Sequence, residues 1–112
     1  MKSNYKKMRI VLFFDLPSVE KEDISCNQKF VKNLKKLGLY MIQYSVYTKS
    51  LQNHSEYDRL LKKIYKIIPN KGNIMMFKLT EKQYSDMIYL SGEKNLYESR
   101  VGSKEIIIFG GE

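Results

Sequence analysis

A run of apolar residues at 10–14 ends at a single carboxylate, Asp15, within the sequence RIVLFFDLP at residues 9–17. The interior of a buried strand excludes an unpaired charge, but the end of such a strand can hold one where water or a cation reaches it. An acid at that point of a strongly basic chain could bind a metal ion or take part in phosphate chemistry. An aspartate two residues before a proline is also typical of a turn, in which its side chain accepts hydrogen bonds from nearby backbone amides. From this segment alone, the turn is the preferred interpretation.

The other residue types that support catalysis lack partners in the sequence. One cysteine, Cys26, and one histidine, His54, exclude a disulfide framework within the chain and a zinc site built from Cys and His. Ser45 has no histidine and aspartate to activate it as a nucleophile. The other acids have no position comparable to that of Asp15, although efficient phosphodiester cleavage with two metal ions normally uses more ligands than one acid.

The chain has 20 basic and 12 acidic residues, which gives a formal net charge of +8. This excess favours a polyanionic partner such as nucleic acid, because clustered cations gain affinity by releasing its counterions. AT-rich coding is an alternative cause, since it enriches Lys, Asn, Ile and Tyr without selection for binding. Seventeen of the basic residues are lysines and three are arginines. Lysine suits phosphate contacts better than base reading, so we expect binding with little sequence preference.

The hydrophobic patterns at the start of the chain predict its first two elements. Residues 8–14 are apolar nearly throughout and predict a fully buried strand. Residues 20–37 predict a helix, with Phe30 and Leu34 on its apolar face and lysines on the opposite side. Gly38 follows as a C-terminal glycine.

The next two elements are a divided strand and a second helix. Residues 39–51 are rich in β-branched and aromatic side chains and predict strand. Because no glycine marks a tight hairpin there, we expect a kink or bulge near residues 43–45 that divides the segment into two short strands. A helix is predicted at about residues 55–68, with Ser55 and Asp58 as its capping box.

Four more elements follow the Pro-Asn-Lys-Gly sequence that ends the second helix. They are a strand at 73–79, a helical turn opened by the capping box at 80–83, a small strand at 87–90 and a last strand at 105–109. This order predicts an α+β fold: a ferredoxin-like βαββαβ-type antiparallel sheet with two helices on one face and extra C-terminal strands.

The length of 112 residues is typical of one small domain. We predict a single ferredoxin-like domain over residues 1–112, with its core at about 8–91 and a C-terminal extension at about 92–112. No apolar run approaches the ~20 residues needed to cross a membrane. The N-terminal sequence also lacks the features of a signal peptide. We therefore expect a soluble, cytoplasmic protein.

Several short motifs resemble those of the CRISPR-associated protein 2 family, the small subunit that joins the spacer integrase during adaptation. The resemblance covers about residues 8–110. Its first motifs are RIVLFFDLP at 9–17, LKKLG at 34–38, QYSVYTK at 43–49 and NKGNI at 70–74. Those closest to the type II branch are TEKQ at 80–83, MIYLSGEKN at 87–95 and IIIFG at 106–110. Each motif is weak alone, and their order and spacing make the resemblance specific.

The resemblance implies a ferredoxin-like homodimer whose C-terminal strand reaches the sheet of the partner subunit or the integrase. An apolar strand at 105–109 also needs such a cover on physical grounds, because an exposed one promotes aggregation. In the family, the acid that ends the first strand lies near the dimer axis and is assigned as a magnesium ligand for phosphodiester hydrolysis. The matching residue is Asp15, which we predict as the catalytic residue and as a Mg²⁺ ligand shared with its dimer mate.

The expected function is that of an adaptation subunit that dimerises, binds double-stranded DNA or RNA through lysine-rich faces, and scaffolds the spacer integrase, with a metal-dependent endonuclease activity. The predicted nucleic-acid-binding residues are Arg9, Lys29, Lys32 and Lys36. Two alternatives stay open: a magnesium-dependent endonuclease acting on RNA or DNA, and a standalone RNA-binding module. The RNA-binding alternative rests on KGNIMMF at residues 71–77, which resembles the strand motif of RNA-recognition domains. It lacks the second glycine of that motif, and we expect it to lack the exposed aromatic residues that stack bases.

Overall fold

Four strands and three helices make up the part of the chain that the structure, a computed structural model, describes: residues 7–92. In chain order they are β1 (Met8–Asp15), α1 (Lys21–Lys36), β2 (Tyr40–Gln43), β3 (Val46–Leu51), α2 (His54–Tyr65), β4 (Asn73–Thr80) and α3 (Glu81–Ser85). The strands form one antiparallel sheet in the order β2-β3-β1-β4, so β3 and β1 are its inner strands.

β1 is buried on both faces over residues 9–12, whereas Met8, Phe13 and Phe14 of the strand predicted to be fully buried are half-buried. Alternate residues of a strand point to opposite faces of the sheet. Ile10 and Leu12 are fully buried on one face, and Val11 is 6% exposed on the other. Both long helices cover the face of Ile10 and Leu12, through Phe30 and Leu34 of α1 and Leu60 and Ile64 of α2. The predicted α+β fold, an antiparallel sheet with two helices on one face, is confirmed.

The ends of α1 agree with the sequence. Glu20 is the N-cap residue, and it forms a capping box with Asp23 in which each residue's side chain accepts a hydrogen bond from the other's backbone amide. Leu37 ends the helix, and Gly38 follows with a φ of +96°, which residues with a Cβ atom rarely adopt. The acids at the start of α1 therefore stabilise the helix end.

The segment 39–51 is divided where the sequence predicts, but by a turn that reverses the chain. β2 and β3 pair antiparallel, with an irregularity between Met41 and Gln43. Ser45 has a φ of 65° in the turn between them. The sequence shows no glycine here because a serine adopts the left-handed conformation, so the expected kink is a hairpin.

The predicted capping box of the second helix is wrong. The N-cap of α2 is Asn53, two residues before Ser55, and its side chain accepts a hydrogen bond from the Glu56 amide at 3.0 Å. The Glu56 carboxylate in turn accepts one from the Gln52 amide at 2.8 Å. These bonds satisfy the first amides of the helix, so Ser55 and Asp58 lie inside it.

α2 also ends at Tyr65, three residues before the predicted end. The shorter helix α3 does have its predicted box, because Thr80 accepts from the Gln83 amide and Gln83 accepts from the Thr80 amide. Among residues 7–92, no helix is long and apolar enough to span a membrane.

The small strand predicted at residues 87–90 is not formed. The Met87 amide donates to the Tyr84 carbonyl at 3.0 Å, so the chain continues to turn at the end of α3. Residues 87–90 have no strand partner in the described part of the chain, and Leu90 is 89% exposed. The predicted strand at 105–109, with most of the C-terminal extension, lies outside the described residues.

Candidate functional site at the end of β1

Asp15 is the last residue of β1, and its side chain is exposed. It pairs in register with Asn73, the first residue of β4. Within residues 7–92 its carboxylate takes part in no hydrogen bond or ion pair. The turn interpretation required bonds from nearby amides to this carboxylate, so it does not describe the side chain. The acid is available to a ligand from outside the described chain.

The backbone around Asp15 is held on several sides. On the β3 side, the Phe14 amide donates to the Ser45 carbonyl at 3.1 Å. On the α1 side, the Asn27 amide group donates to the Pro17 carbonyl at 2.9 Å. The direction of the Asp15 side chain is therefore set by a fixed strand end.

One carboxylate is a partial match for a magnesium site. Among residues 7–92, no group of three or more His, Cys, Asp or Glu side chains is close enough to hold a metal ion. Magnesium prefers oxygen ligands, keeps several water molecules and can be bound through one or two carboxylates. The exposed Asp15 carboxylate fits that chemistry as one ligand, and any second carboxylate would come from outside residues 7–92 or from another molecule.

Arg9, predicted as a phosphate contact, is instead a buried structural residue, 9% exposed. Its guanidinium donates from Nε to Glu81 Oε1 at 3.1 Å, and from Nη1 to the Tyr40 hydroxyl at 3.0 Å and to Thr48 Oγ1 at 3.3 Å. It also lies 4.1 Å from the centre of the Tyr84 ring. This geometry gives no support to a phosphate contact by Arg9, because the side chain is buried and its Nε and Nη1 donors have partners within the fold.

Electrostatics agree with that role for Arg9. Burial alone would lower the pKa of its guanidinium. Tyr40 and Glu81 outweigh this effect through their hydrogen bonds and charge interactions, and the pKa lies above its usual value. Glu81 also accepts a hydrogen bond from the Ser50 hydroxyl. The sequence gives no signal for this pair, because its members are 72 residues apart.

The three lysines predicted on α1 form one exposed row, here called the lysine row: Lys29, Lys32 and Lys36. Phe30 and Leu34 point into the core, so the row faces away from the sheet. Within residues 7–92 no hydrogen bond or ion pair engages these three side chains.

Three other lysines are engaged, and sequence reasoning missed their partners. Lys71 pairs with Asp23 at 3.3 Å, and Lys49 donates to the Leu37 carbonyl at 3.0 Å. Lys78 lies 4.3 Å from the centre of the Tyr57 ring. Among residues 7–92, the lysine row is therefore free to contact phosphates, whereas Lys49, Lys71 and Lys78 already contact other residues.

The face of the sheet opposite α1 and α2, here called the second face, is apolar and partly open. Val11, Ile42 and Tyr84 are buried there, while Phe77 is 51% and Met75 67% exposed. A groove of about 490 Å³ lies between this face and residues 87–91. The expectation that β4 exposes no aromatic residue is therefore wrong for Phe77.

Comparison with known proteins identifies the family. The sequence model of the family described as CRISPR associated protein Cas2 matches residues 8–87. The chain is 39% identical over 105 residues to the CRISPR-associated endoribonuclease Cas2 of Streptococcus mutans serotype c (strain ATCC 700610 / UA159), covering 94% of each chain. It is 41% identical over 101 residues to the protein of that name from Ligilactobacillus salivarius (strain UCC118), covering 90% of this chain and 99% of the relative.

A solved structure titled "Crystal structure of cas2" shares the fold. The TM-score is 0.58, with coverage of 80% of this chain and 92% of the other. The two sequences are 16% identical, so this likeness concerns the fold alone. The family match, the two relatives and the resemblance of the motifs agree, and the chain therefore belongs to the CRISPR-associated protein Cas2 family.

Proposed function

We propose that this chain is a CRISPR adaptation subunit that works as a homodimer. In this proposal the dimer binds duplex nucleic acid through the lysine row, scaffolds the spacer integrase, and has a magnesium-dependent endonuclease activity at a pair of Asp15 residues. The relatives with 39% and 41% identity are named endoribonucleases, which supports a nuclease and makes RNA the first substrate to test.

The observation that carries the proposal is that Asp15 lies on the second face. β1 alternates, so Asp15 points to the same side of the sheet as Val11 and Phe13. The register places Phe77 and Met75 of β4 beside Val11 and Phe13, and the rings of Phe13 and Phe77 are 5.4 Å apart. A second copy that covers this apolar patch, with the two-fold axis close to the end of β1, would bring its own Asp15 beside the first.

A second copy also suits the chemistry of the patch. Half-exposed Phe77 and Met75 gain free energy when an apolar surface covers them, at about 25 cal/mol per Å². One carboxylate from each copy supplies the two that a magnesium ion can use, with water molecules as its other ligands. The sequence after residue 92 contains the apolar segment at 106–109, which offers further surface for the same contact.

Within that dimer, each Asp15 would hold the ion and orient its bound water. A magnesium ion supplies a polarised water and neutralises charge on the phosphate. The fixed strand end keeps the carboxylate in place, because its position follows from the Phe14–Ser45 and Asn27–Pro17 bonds.

The lysine row and the second face lie on opposite sides of the fold, which supports a dimer that binds nucleic acid at the same time. α1 separates the row from the sheet, and the apolar patch points the other way. Flexible ammonium groups contact phosphates without reading bases. Duplex binding should therefore be insensitive to sequence and should leave the dimer contact intact.

A standalone RNA-binding module is the second candidate, because Phe77 is exposed on an open sheet face. In this alternative, single-stranded RNA would stack on Phe77, as bases do on the sheets of RNA-recognition domains. A monomer whose RNA binding is lost on Phe77→Ala would favour it over the dimer.

The first experiment measures mass and cleavage together. Sedimentation at micromolar concentration should give twice the chain mass, and the dimer should cleave RNA or DNA only with Mg²⁺ present. Asp15→Asn should abolish cleavage, whereas Asp58→Asn, which changes an exposed carboxylate on α2, should keep it. Equal cleavage by wild type and Asp15→Asn would show that the nuclease proposal is wrong.

The scaffold role is tested in cells that carry the integrase and a repeat array. Asp15→Asn should still copurify with the integrase and support spacer acquisition, since it keeps the shape of the second face. Loss of acquisition in a variant that still binds the integrase would show that hydrolysis is part of the pathway.

A further inference from the structure

We propose that Gly72 is a positioning residue for Asp15: its missing side chain lets the start of β4 close against the backbone that carries this carboxylate. This inference rests on the proposed metal site at Asp15. Gly72 precedes Asn73, the residue that pairs with Asp15. Its φ of +93° turns the chain into β4.

The close approach at Gly72 involves backbone atoms. A Cβ atom built on Gly72 would lie 2.6 Å from Leu16 Cδ2, 2.8 Å from the Asp15 carbonyl oxygen and 3.1 Å from Leu16 Cα. The leucine methyl group can rotate away, but the carbonyl oxygen and Cα move only with the chain. A side chain at this position must therefore displace the backbone of residues 15 and 16 or open the last pair of β1 and β4.

The surrounding contacts leave that backbone little room to yield. Lys71, next to Gly72, is tied to Asp23 of α1 at 3.3 Å. Asp23 is itself fixed, because it is 8% exposed and accepts a hydrogen bond from the Glu20 amide at 3.3 Å. On the other side of Leu16, the Asn27 side chain donates to Pro17 at 2.9 Å. The Asn27–Pro17 bond therefore ties the residues after Asp15 to α1, and the ion pair of Lys71, whose side chain is 70% exposed, adds a weaker tie on the Gly72 side.

This matters for Asp15 because its carboxylate has no partner of its own within residues 7–92. Only the backbone sets where the side chain points. Magnesium requires a near-ideal octahedral arrangement with oxygen distances of about 2.0–2.1 Å, and a displacement of about 1 Å is enough to impair a reacting geometry. A shift of the strand end would thus weaken metal binding without changing any ligand.

Gly38 provides a matched control. Its φ of +96° resembles that of Gly72, so replacement by alanine strains the backbone in the same way. The Cβ of such an alanine would meet the end of the Lys49 side chain, 2.6 Å from Nζ, which can move aside. Gly38 follows α1, and Lys49, which it contacts, pairs with Ile10 rather than with the end of β1.

The experiment compares Gly72→Ala with Gly38→Ala in the full-length chain, with MnCl2 as the probe. Paramagnetic broadening of the Asp15 and Asn73 amide signals reports Mn²⁺ binding, and thermal unfolding reports stability. We expect both variants to lose stability from the positive φ, Gly72→Ala more than Gly38→Ala because its clash involves backbone atoms, and only Gly72→Ala to bind Mn²⁺ at least ten-fold more weakly than wild type. Equal Mn²⁺ affinity of the two variants would overturn the proposal.

A second measurement separates this proposal from the metal site. Without metal, Gly72→Ala should shift the Asp15 and Leu16 amide signals and weaken the Asp15–Asn73 cross-strand contact, whereas Gly38→Ala should leave both unchanged. If Asp15→Asn does not alter Mn²⁺ broadening, the metal site is wrong and the amide signals still decide the role of Gly72. Unchanged Asp15 and Leu16 signals in Gly72→Ala would refute the positioning role.

Discussion

Replacing Arg9 with methionine should destabilise the fold by about 2–3 kcal/mol. Methionine keeps much of the apolar stem of arginine, so the change removes mainly the polar contacts of the guanidinium. These are the charged bond to Glu81, the bonds to the Tyr40 and Thr48 hydroxyl groups, and the contact with the Tyr84 ring.

The magnitude follows from the exposure of the pair. A hydrogen bond to a charged group contributes about 1.5–3 kcal/mol, and breaking a fully buried ion pair costs about 3–5 kcal/mol. The Arg9 side chain is 11% exposed but that of Glu81 is 31% exposed, so water reaches the carboxylate that is left behind. This exposure reduces the expected cost below the range for buried pairs.

Urea unfolding at one fixed protein concentration measures the effect, because any self-association makes apparent stability depend on concentration. For a domain of this size, the expected loss corresponds to a fall in Tm of about 10–20 °C. Arg59→Met is the matched control, since Arg59 is exposed on α2, and it should change stability by less than about 0.5 kcal/mol.

A double-mutant cycle with Glu81→Gln should give a coupling of about 1 kcal/mol or more, because the two side chains are in direct contact. A loss below about 1 kcal/mol for Arg9→Met, or a coupling near zero, would refute the reasoning. Arg9 would then contribute little to the stability of the fold.

Three further predictions concern pH, salt and association. Burial and, to a smaller extent, Tyr44 raise the pKa of Tyr47 above its usual value of 10.0, so the free energy of unfolding should fall as pH rises from 10 through the folded pKa. Tyr47→Phe should remove this decline, and identical pH profiles in urea unfolding would contradict it. Replacing all three lysines of the lysine row with glutamine should weaken duplex binding equally for unrelated sequences. In filter or fluorescence binding, it should reduce the slope of log K against log salt concentration by about 2.7. An effect limited to one sequence would count against phosphate contacts. Phe77→Glu should give a monomer in sedimentation, whereas Lys78→Glu on the opposite face of β4 should remain dimeric, and a dimer in both would place the interface elsewhere.

The features predictable from sequence were those with local signals. The apolar run of β1, the helical spacing of Phe30 and Leu34, and the Thr80–Gln83 box each lie within a few residues, and all three are confirmed. Asp15 stands out in the sequence because a charge directly follows an apolar run, and its role as a metal ligand stays a prediction.

The features that the sequence did not reveal had competing or distant causes. Asn53 and Ser55 are both good helix caps two residues apart, and the backbone amides that they satisfy are not visible in the sequence. The role of Arg9 depends on Glu81, which α3 brings to the sheet from 72 residues away. Residues 87–90 have strand-like composition, but α3 continues its hydrogen bonding into them instead of leaving them extended.

The alternation of side chains in β1 constrains the length of this strand more strictly than it constrains which aliphatic residues the strand contains. Even-numbered residues such as Ile10 and Leu12 fill the core, while odd-numbered Val11, Phe13 and Asp15 face the other way. Exchange of one aliphatic residue for another keeps every side chain on its own face. A one-residue insertion or deletion within the strand exchanges the faces of all residues on one side of it, which would turn Asp15 toward the core or the core residues toward water. Natural variation in this strand should therefore consist of substitutions, with gaps confined to the loop that follows Asp15.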